Sequence, residues 1–415
     1  MRIVIGAALS VILAQAGWTR DDVVVVKAGR IVTVSGPDIE GGAILIKGGK
    51  IEAVGKEKEI EIPWDAKVLD ASKMVVMPGW IEAHTSRGVD RPNEQVQSVP
   101  FVSTFDSINP VDPYFEDALR QGVTSLFVLP GHQTMIGGQG CVLRPHGLTT
   151  EQMTVVKNHA LKLSLQPRGG MSRMAHLAAI RREFDEMLQY LQDLEEKKRE
   201  VPTAAGGQKQ PPPEMDIKKE TMARFLGGKL TGYVYCPEPA DVLKAIELSK
   251  KYKFRMKLVV GRECWKAADA IAKEKLEVVL PAEMVYWETD EEKHQEILRV
   301  LPAIFHKAGV KFAMQTDSSS LGTSYQWYQA ATAVKHGVPR DVAIKSGTLH
   351  AAEVLDLADR FGSIEKGKLA NLVVLTGDPL DAQTWVDRVI LEGAVVYERE
   401  KDEKLERVME LKAGK

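Results

Sequence analysis

The stretch that decides the fold is VVMPGWIEAHTSRGVD, residues Val75 to Asp90. It begins with an apolar run that predicts a buried strand, and Pro78-Gly79 interrupts this run. The apolar pattern resumes at Trp80 and ends in a polar cluster that begins with His84. In a barrel of parallel strands, functional side chains lie where the strands end. The stretch therefore predicts a first barrel strand, Val75 to His84, with a functional histidine at its end.

Strand patterns are concentrated at both ends of the chain, and a long middle segment alternates strand and helix patterns. The two ends, residues 22–77 and 362–400, predict one composite β-sandwich domain. The middle, residues 78–350, predicts a (β/α)8 TIM barrel, because strands alternate there with helices whose apolar residues recur at i, i+3 and i+4. Its last strand is predicted at Val310 to Asp317.

Composition places the chain among ordinary globular proteins. Apolar residues make up 44% and charged residues 27% of its 415 residues, which are usual values for such proteins. The net charge of −2 gives no indication of nucleic acid as a partner. The three cysteines, Cys141, Cys236 and Cys264, show no CxxC spacing, so they are interpreted as small buried side chains and not as a disulfide framework.

The first residues predict export. An apolar run from Ile3 to Leu13 follows one arginine, and Ala14-Gln15-Ala16 fits a small-residue cleavage site. Met1 to Ala16 is therefore interpreted as a signal peptide, which implies a periplasmic or secreted protein. The run is too short to cross a bilayer as a helix. The alternative is a buried N-terminal strand or helix.

One segment interrupts the barrel pattern. Arg181 to Glu200 is a highly charged predicted helix, and Val201 to Asp216 is poor in order-promoting residues. We interpret residues 181–216 as a helical insert with a flexible loop between strands 4 and 5. It is either a partner site or a solvated surface.

Several motifs occur in the order and spacing of a known family. They are PGWIEAHTS, DSINPVDPYFEDALRQGVTSLFVLPG, MIGGQG, QTDSS and HAAEVLDLADRFGSIEKGKLANLVVLTGDPL. With these motifs the chain resembles the amidohydrolase superfamily, in its imidazolonepropionase-like and prolidase-like branch. The resemblance implies hydrolysis of carbon–nitrogen bonds by one or two divalent metals, often zinc. The metal ligands of that family come from strands 1, 4, 5, 6 and 8.

Most of the family's ligand positions hold other residues in this chain. His84 matches the first histidine of strand 1, and Asp317 matches the aspartate of strand 8. Related sequences carry a Glu or a modified Lys on strand 4. The remaining positions are predicted at Ser86 on strand 1, Gln166 or Pro167 on strand 4, Tyr235-Cys236-Pro237 on strand 5 and Val260 on strand 6.

His84 and Asp317 are therefore predicted as the catalytic pair and as the remnant of an incomplete metal site. A catalytic zinc needs about three protein ligands, so the sequence predicts a non-catalytic or ligand-binding descendant without a cofactor. The alternative is an active hydrolase with a zinc site rebuilt from residues such as Cys236, His132 and Glu263. A small-molecule ligand and a homo-oligomer are both possible.

Four further interpretations concern single features. His84 and Asp317 form either a structural hydrogen bond or a general base, and a serine nucleophile near Ser86 or Ser318 to Ser320 is a third possibility. Met135 to Gly140 is either a ligand-binding loop or a tight turn. His132 and His159 are more simply explained as ordinary hydrogen-bonded histidines.

Overall fold

The computed structural model describes residues 22–199, 216–290, 292, 294–317, 322 and 324–412. The predicted signal peptide, residues 201–215 of the predicted flexible loop and Ser318 to Ser320 lie outside the described residues. The strands are β1 (Val24–Ile31), β2 (Ile39–Lys47), β3 (Lys50–Lys56), β4 (Lys67–Pro78), β5 (Trp80–Thr85), β6 (Val123–Val128), β7 (Ile136–Leu143), β8 (Thr154–Ser164), β9 (Thr231–Cys236), β10 (Met256–Val260), β11 (Val278–Val279), β12 (Val285–Asp290), β13 (Gln295–Val300), β14 (Phe312–Ala313), β15 (Leu372–Leu375), β16 (Val386–Leu391) and β17 (Ala394–Glu398).

The helices mostly follow strands of the middle segment. They are α1 (Pro113–Arg120), α2 (Thr150–Met153), α3 (Arg173–Arg199), α4 (Ile217–Leu226), α5 (Pro239–Tyr252), α6 (Ala268–Lys273), α7 (Leu301–Lys307), α8 (Gln326–Lys335), α9 (Arg340–Ser346), α10 (Leu349–Val354) and α11 (Glu403–Lys412). The charged helix α3 begins eight residues before the predicted Arg181. Within the described ranges, none of these helices has the length and apolar content needed to cross a membrane.

A seven-stranded sheet is built from both ends of the chain. Its order is β17-β16-β15-β4-β1-β2-β3, so strands from the first and last hundred residues pair directly through β4 and β15. The strands form one continuous sheet, whereas the prediction was a sandwich. Apolar side chains such as Val26, Ile44 and Leu372 are fully or almost fully buried in its core.

The middle segment forms an eight-stranded sheet, with the order β14-β11-β10-β9-β8-β7-β6-β5. One face packs around α10, where Ile81, Phe127 and Val259 contact the helix residues Ala351 and Val354 in one buried cluster. The opposite face packs against the outer helices. The result is a mixed α/β fold with a nearly barrel-shaped sheet.

The sheet departs from eight regular βα units. Strand β7 runs antiparallel to both β6 and β8, and only the four-residue α2 lies between β7 and β8. In the stretch Met135 to Gly140, predicted as a turn or a binding loop, the residues from Ile136 onward instead belong to this buried strand. Its glycines pack closely: an added Cβ at Gly140 would lie 2.7 Å from the carbonyl oxygen of Val128.

The first and last strands of this sheet are joined at a seam without a regular ladder. The amide of Ile81 donates to the Gly347 carbonyl at 2.8 Å, and the amide of Met314 donates to the Ser346 carbonyl at 3.1 Å. The carboxylate of Glu82 accepts from the Thr316 amide at 2.9 and 3.0 Å. The buried Glu82 side chain therefore helps to join the first and last strands of the sheet. Between the other neighbouring strands, backbone hydrogen bonds make this connection.

Two strand boundaries differ from the sequence prediction. Val75 to Pro78 belongs to β4 of the seven-stranded sheet, so the first barrel strand begins only at Trp80. Gly79 separates the two strands, because a Cβ there would overlap the Thr124 side chain. The last strand, β14, contains only Phe312 and Ala313, and Asp317 follows it in an irregular segment.

Candidate functional site

His84 lies near the end of β5 and is fully buried. The pairing of β5 with β6 shifts register between Glu82 and Thr85, and such irregularities re-aim side chains. His84 Nδ1 lies 2.8 Å from Gln315 Oε1, and Nε2 lies 2.9 Å from Lys162 Nζ. Both ring nitrogens therefore have partners other than Asp317, so the direct His84–Asp317 hydrogen bond considered from the sequence does not form.

Lys162 lies at the centre of the site. It is near the end of β8, its side chain is fully buried, and Nζ lies 2.9 Å from both His84 Nε2 and His132 Nδ1. The strand-4 register predicted from the sequence was therefore wrong. Gln166 and Pro167 follow the end of β8, and the side chain that enters the site from this strand is Lys162.

The hydrogen bonds define the imidazole tautomers. An amide oxygen only accepts, so His84 Nδ1 carries the proton that it donates to Gln315 Oε1. His84 Nε2 is then an acceptor, and the Lys162 amine donates to it. Burial lowers the pKa of His84 and of His132, and the nearby Lys162 lowers both further. Two neutral imidazoles therefore face one amine.

His132 and Tyr235 form the outer wall of the site. Their rings stack with centroids 3.6 Å apart, and His132 also stacks on His84 at 5.1 Å. Ser164 fixes the loop that carries His132 by donating to the His132 carbonyl at 2.5 Å. His132 and Tyr235 are half-buried while Lys162 is fully buried, so these two rings are more accessible from the mouth than the lysine is.

Asp317 lies beside the end of β5. One carboxylate oxygen accepts from the Ser86 amide and from the Ser86 hydroxyl, both at 2.9 Å. Ser86, which the sequence predicts at the position of the second family histidine, therefore orients the aspartate. Asp317 also raises the pKa of Lys162 through its charge, so the two groups interact electrostatically.

Space for Lys162 depends on a glycine. A Cβ added to Gly137 on the neighbouring β7 would lie 3.3 Å from Lys162 Cβ and 3.5 Å from Lys162 Cγ. These distances leave little room for a larger residue. Gly137 of β7 therefore accommodates the lysine side chain, which is a role that neither sequence interpretation of this stretch included.

The protonation state of Lys162 is shifted by its surroundings. Burial lowers its pKa from the usual 10.5 to about 7, although Asp317 and Cys236 act in the opposite direction. Burial thus favours the neutral amine of Lys162 more than that of an exposed lysine. Its hydrogen bonds to two imidazole acceptors are available in either state, because a neutral amine still has two N–H donors.

Glu82 is the second buried ionisable group near the site. Burial raises its pKa to about 8, and hydrogen bonds from Thr316 and Gln326 oppose this increase. The Thr316 hydroxyl and amide and the Gln326 amide all point at the carboxyl group. Glu82 therefore holds the segment that precedes Asp317 in place.

The donor set does not fit a zinc ion as it stands. His84 Nε2 and His132 Nδ1 point to the same place, but both are hydrogen-bonded to Lys162 Nζ. The amino group of Lys162 fills this place, so a metal ion cannot occupy it at the same time. Tyr235 and Val260 are the residues that the sequence predicts at two further family positions, and valine has no donor atom. Among the described residues, no group of three or more His, Cys, Asp or Glu side chains could hold a metal ion.

The other candidates for a rebuilt site have structural roles. Cys236 is buried, and its carbonyl accepts from the Cys264 thiol at 3.1 Å. Glu263 pairs with Lys266 at 3.0 Å. His159 contacts the Leu355 carbonyl at 2.7 Å through Nε2, which agrees with its interpretation as an ordinary histidine. Of the proposed compensating residues, only His132 joins the site.

Comparison with known proteins shows what the chain is similar to. A model of the amidohydrolase family matches residues 264–396. These residues are similar to an amidohydrolase-family domain. The chain is 28% identical to an amidohydrolase of Thermotoga maritima MSB8, with a TM-score of 0.81 over 91% of this chain and 100% of that one. The family resemblance inferred from the motifs is confirmed.

Two further similar proteins are more distant. The amidohydrolase tasK of Hapsidospora irregularis is 23% identical over 389 residues, which cover 83% of this chain and 39% of that protein. The chain thus spans about two fifths of the length of this curated relative. A prolidase complexed with N-methylphosphonate-L-proline shares the fold at 17% identity, with a TM-score of 0.52 over 91% of this chain and 100% of that one.

Proposed function

We propose that this chain is an amidohydrolase-fold protein that binds a small molecule at the barrel mouth and does not hydrolyse it through a metal. One observation carries the proposal: the Lys162 amine donates to both His84 Nε2 and His132 Nδ1. The two imidazoles that a metal would require are thereby engaged. The remaining family positions, Tyr235 and Val260, add no strong ligand.

The loss of a metal removes the chemistry on which the family depends. A metal-bound water loses its proton near neutral pH, and a metal also polarises the scissile carbonyl. In this chain, the Lys162 donor and the neutral imidazoles supply neither an activated water nor a Lewis acid. Asp317 is held by Ser86, and among the described residues no imidazole is hydrogen-bonded to it to act as a relay.

The mouth of the barrel retains features of a binding site. The stacked rings of His132 and Tyr235 present a flat partly exposed surface, and the Ser86–Asp317 pair lies at the end of β5. Beside Asp317 is a pocket of about 610 Å³, which Arg87 and Tyr114 also line. This volume is within the range of small-molecule sites, so we propose a small organic molecule as the ligand.

A second candidate function is an active hydrolase of carbon–nitrogen bonds other than peptide bonds. The observation that favours it is the position of His132. Its Nδ1 atom and His84 Nε2 both point to the place that Lys162 Nζ occupies. The family resemblance also implies a modified lysine on strand 4, where Lys162 lies. This alternative requires Lys162 to be modified or displaced so that zinc can enter.

We expect the purified chain to show no hydrolysis of N-acyl amino acids, dipeptides or cyclic amides above the buffer rate. The physical reason is that bulk water keeps its high pKa without a metal. Each substrate is incubated with the wild-type chain and with His84→Ala, with and without equimolar zinc. Zinc-dependent turnover in the wild type that disappears in His84→Ala would establish the hydrolase alternative.

The location of the protein and its assembly are proposals of a different kind. Export to the periplasm or the medium rests on the pattern of Met1 to Ala16 alone. A homo-oligomer and the division into domains at residues 77/78 and 350/362 stay predictions.

A further inference from the structure

In this site, one nitrogen atom from each of two imidazoles is hydrogen-bonded to the same third atom. His84 Nε2 and His132 Nδ1 each lie 2.9 Å from Lys162 Nζ. We propose that the Lys162 amino group holds the position of a metal ion, so that His84 and His132 form a latent zinc site that the lysine keeps closed. On this proposal, the amine of an internal side chain lies at the point where a zinc ion would need to bind both imidazoles.

The His84 imidazole is arranged as a ligating histidine usually is. His84 Nδ1 donates to Gln315 Oε1, so its lone pair is fixed on Nε2 and points into the site. In metal centres the second ring nitrogen of a ligating histidine is held in this way by an oxygen acceptor. Gln315 is itself positioned, because Gln329 donates to its carbonyl at 2.6 Å.

The rings are also held against rotation. His132 is stacked between His84 and Tyr235, with interplanar angles of 13° and 12°. Zinc–nitrogen bonds are about 2.0–2.1 Å long, so each nitrogen needs to approach the present Nζ position by about 0.8 Å. A shift of this size requires a small movement of each ring and no rearrangement of the strands.

Lys162 can be exchanged for a ligand without moving the backbone. The carboxylate oxygens of glutamate are one bond closer to the backbone than the lysine nitrogen, which is about 1.5 Å. Zinc binds carboxylate oxygen at about 2.0–2.2 Å. A zinc ion bound to Glu at position 162 would therefore lie close to the place that Lys162 Nζ occupies, between the two imidazoles.

Three variants test the proposal through zinc affinity, measured by competition with a chromophoric chelator on the full chain. Lys162→Glu adds a third donor, and Lys162→Gln removes the amine while keeping a neutral side chain of similar length. Lys157→Glu makes the same charge change at an exposed position of β8 and is the matched control. Circular dichroism verifies that each variant is folded.

We expect Lys162→Glu to bind zinc at least about 100-fold more tightly than the wild type, since it completes a three-ligand site. Lys162→Gln should show a smaller gain, and Lys157→Glu none. Adding His84→Ala to Lys162→Glu should remove most of the gain. If Lys162→Glu fails to fold, the zinc affinity of Lys162→Gln tests the proposal in its place. Tight zinc binding by the wild type, or no gain in either folded Lys162 variant, would overturn the proposal.

This test can fail independently of the proposed function. Suppose that the wild-type chain lacks hydrolase activity and that its folded Lys162 variants gain no zinc affinity. This result would contradict the latent zinc site but not the proposed function. Conversely, zinc-dependent turnover by a wild-type chain with unmodified Lys162 would contradict the proposed function. Modification of Lys162 in that active protein appears as a mass increase on the peptide that contains it.

Discussion

The free energy of unfolding of the wild-type chain is expected to increase between pH 7 and pH 10 relative to that of Lys162→Met. The folded chain binds the Lys162 proton with a pKa of about 7, below the usual 10.5. In this pH window the unfolded chain carries a proton that the folded chain has lost, so stability rises with pH. The size of the difference is on the order of 4 kcal/mol.

Urea denaturation of both proteins at four pH values between 7 and 10 measures this difference. Lys157→Met is the control, because Lys157 is exposed on the same strand. Its stability should follow that of the wild type across the range. A difference between wild type and Lys162→Met that stays constant with pH would show that the lysine is not held in a site that disfavours its charge.

Replacing Glu82 by alanine is expected to lower the free energy of unfolding by about 3–5 kcal/mol. The change leaves the Thr316 amide, the Thr316 hydroxyl and the Gln326 amide without their acceptor in a buried seam, and it also opens a cavity. Glu82→Gln keeps an acceptor of the same shape and should cost much less at pH 6. Urea denaturation at that pH measures both variants.

The pH dependence of the Glu82 variants supplies a second comparison. The folded-state pKa of Glu82 is raised to about 8 from 4.5, so the folded chain binds the proton more tightly. Its contribution to stability is fully present below pH 4.5 and is lost as the pH rises through 8. Wild type should therefore lose stability relative to Glu82→Gln between pH 5 and 8. Equal costs for the alanine and glutamine variants at pH 6 would contradict the role of Glu82 at the seam.

The sequence was informative where a pattern is local. Pro78-Gly79 marked the point between two strands, and the polar residues after β5 indicated a site at its end. The prediction of a regular barrel was wrong at β7, because a glycine-rich strand that packs tightly and a glycine-rich turn have the same composition. Only the packing against Val128 and Lys162 distinguishes them.

Lys162 was missed for a different physical reason. In the segment HALKLS the lysine alternates with leucines, and such alternation does not say which face of the strand points into the barrel. A lysine there is expected to face solvent, since lysines are seldom fully buried. The signal that could have found it is Gly137 on the neighbouring strand together with the two histidines, but their proximity is a tertiary contact.

Elemental analysis of the full chain purified without chelator, combined with its intact mass, tests the central claim most directly. The account predicts far less than one zinc per chain and a mass that corresponds to unmodified Lys162, because the amine occupies the point where His84 and His132 converge. About one tightly bound zinc per chain, lost in His84→Ala, would contradict it.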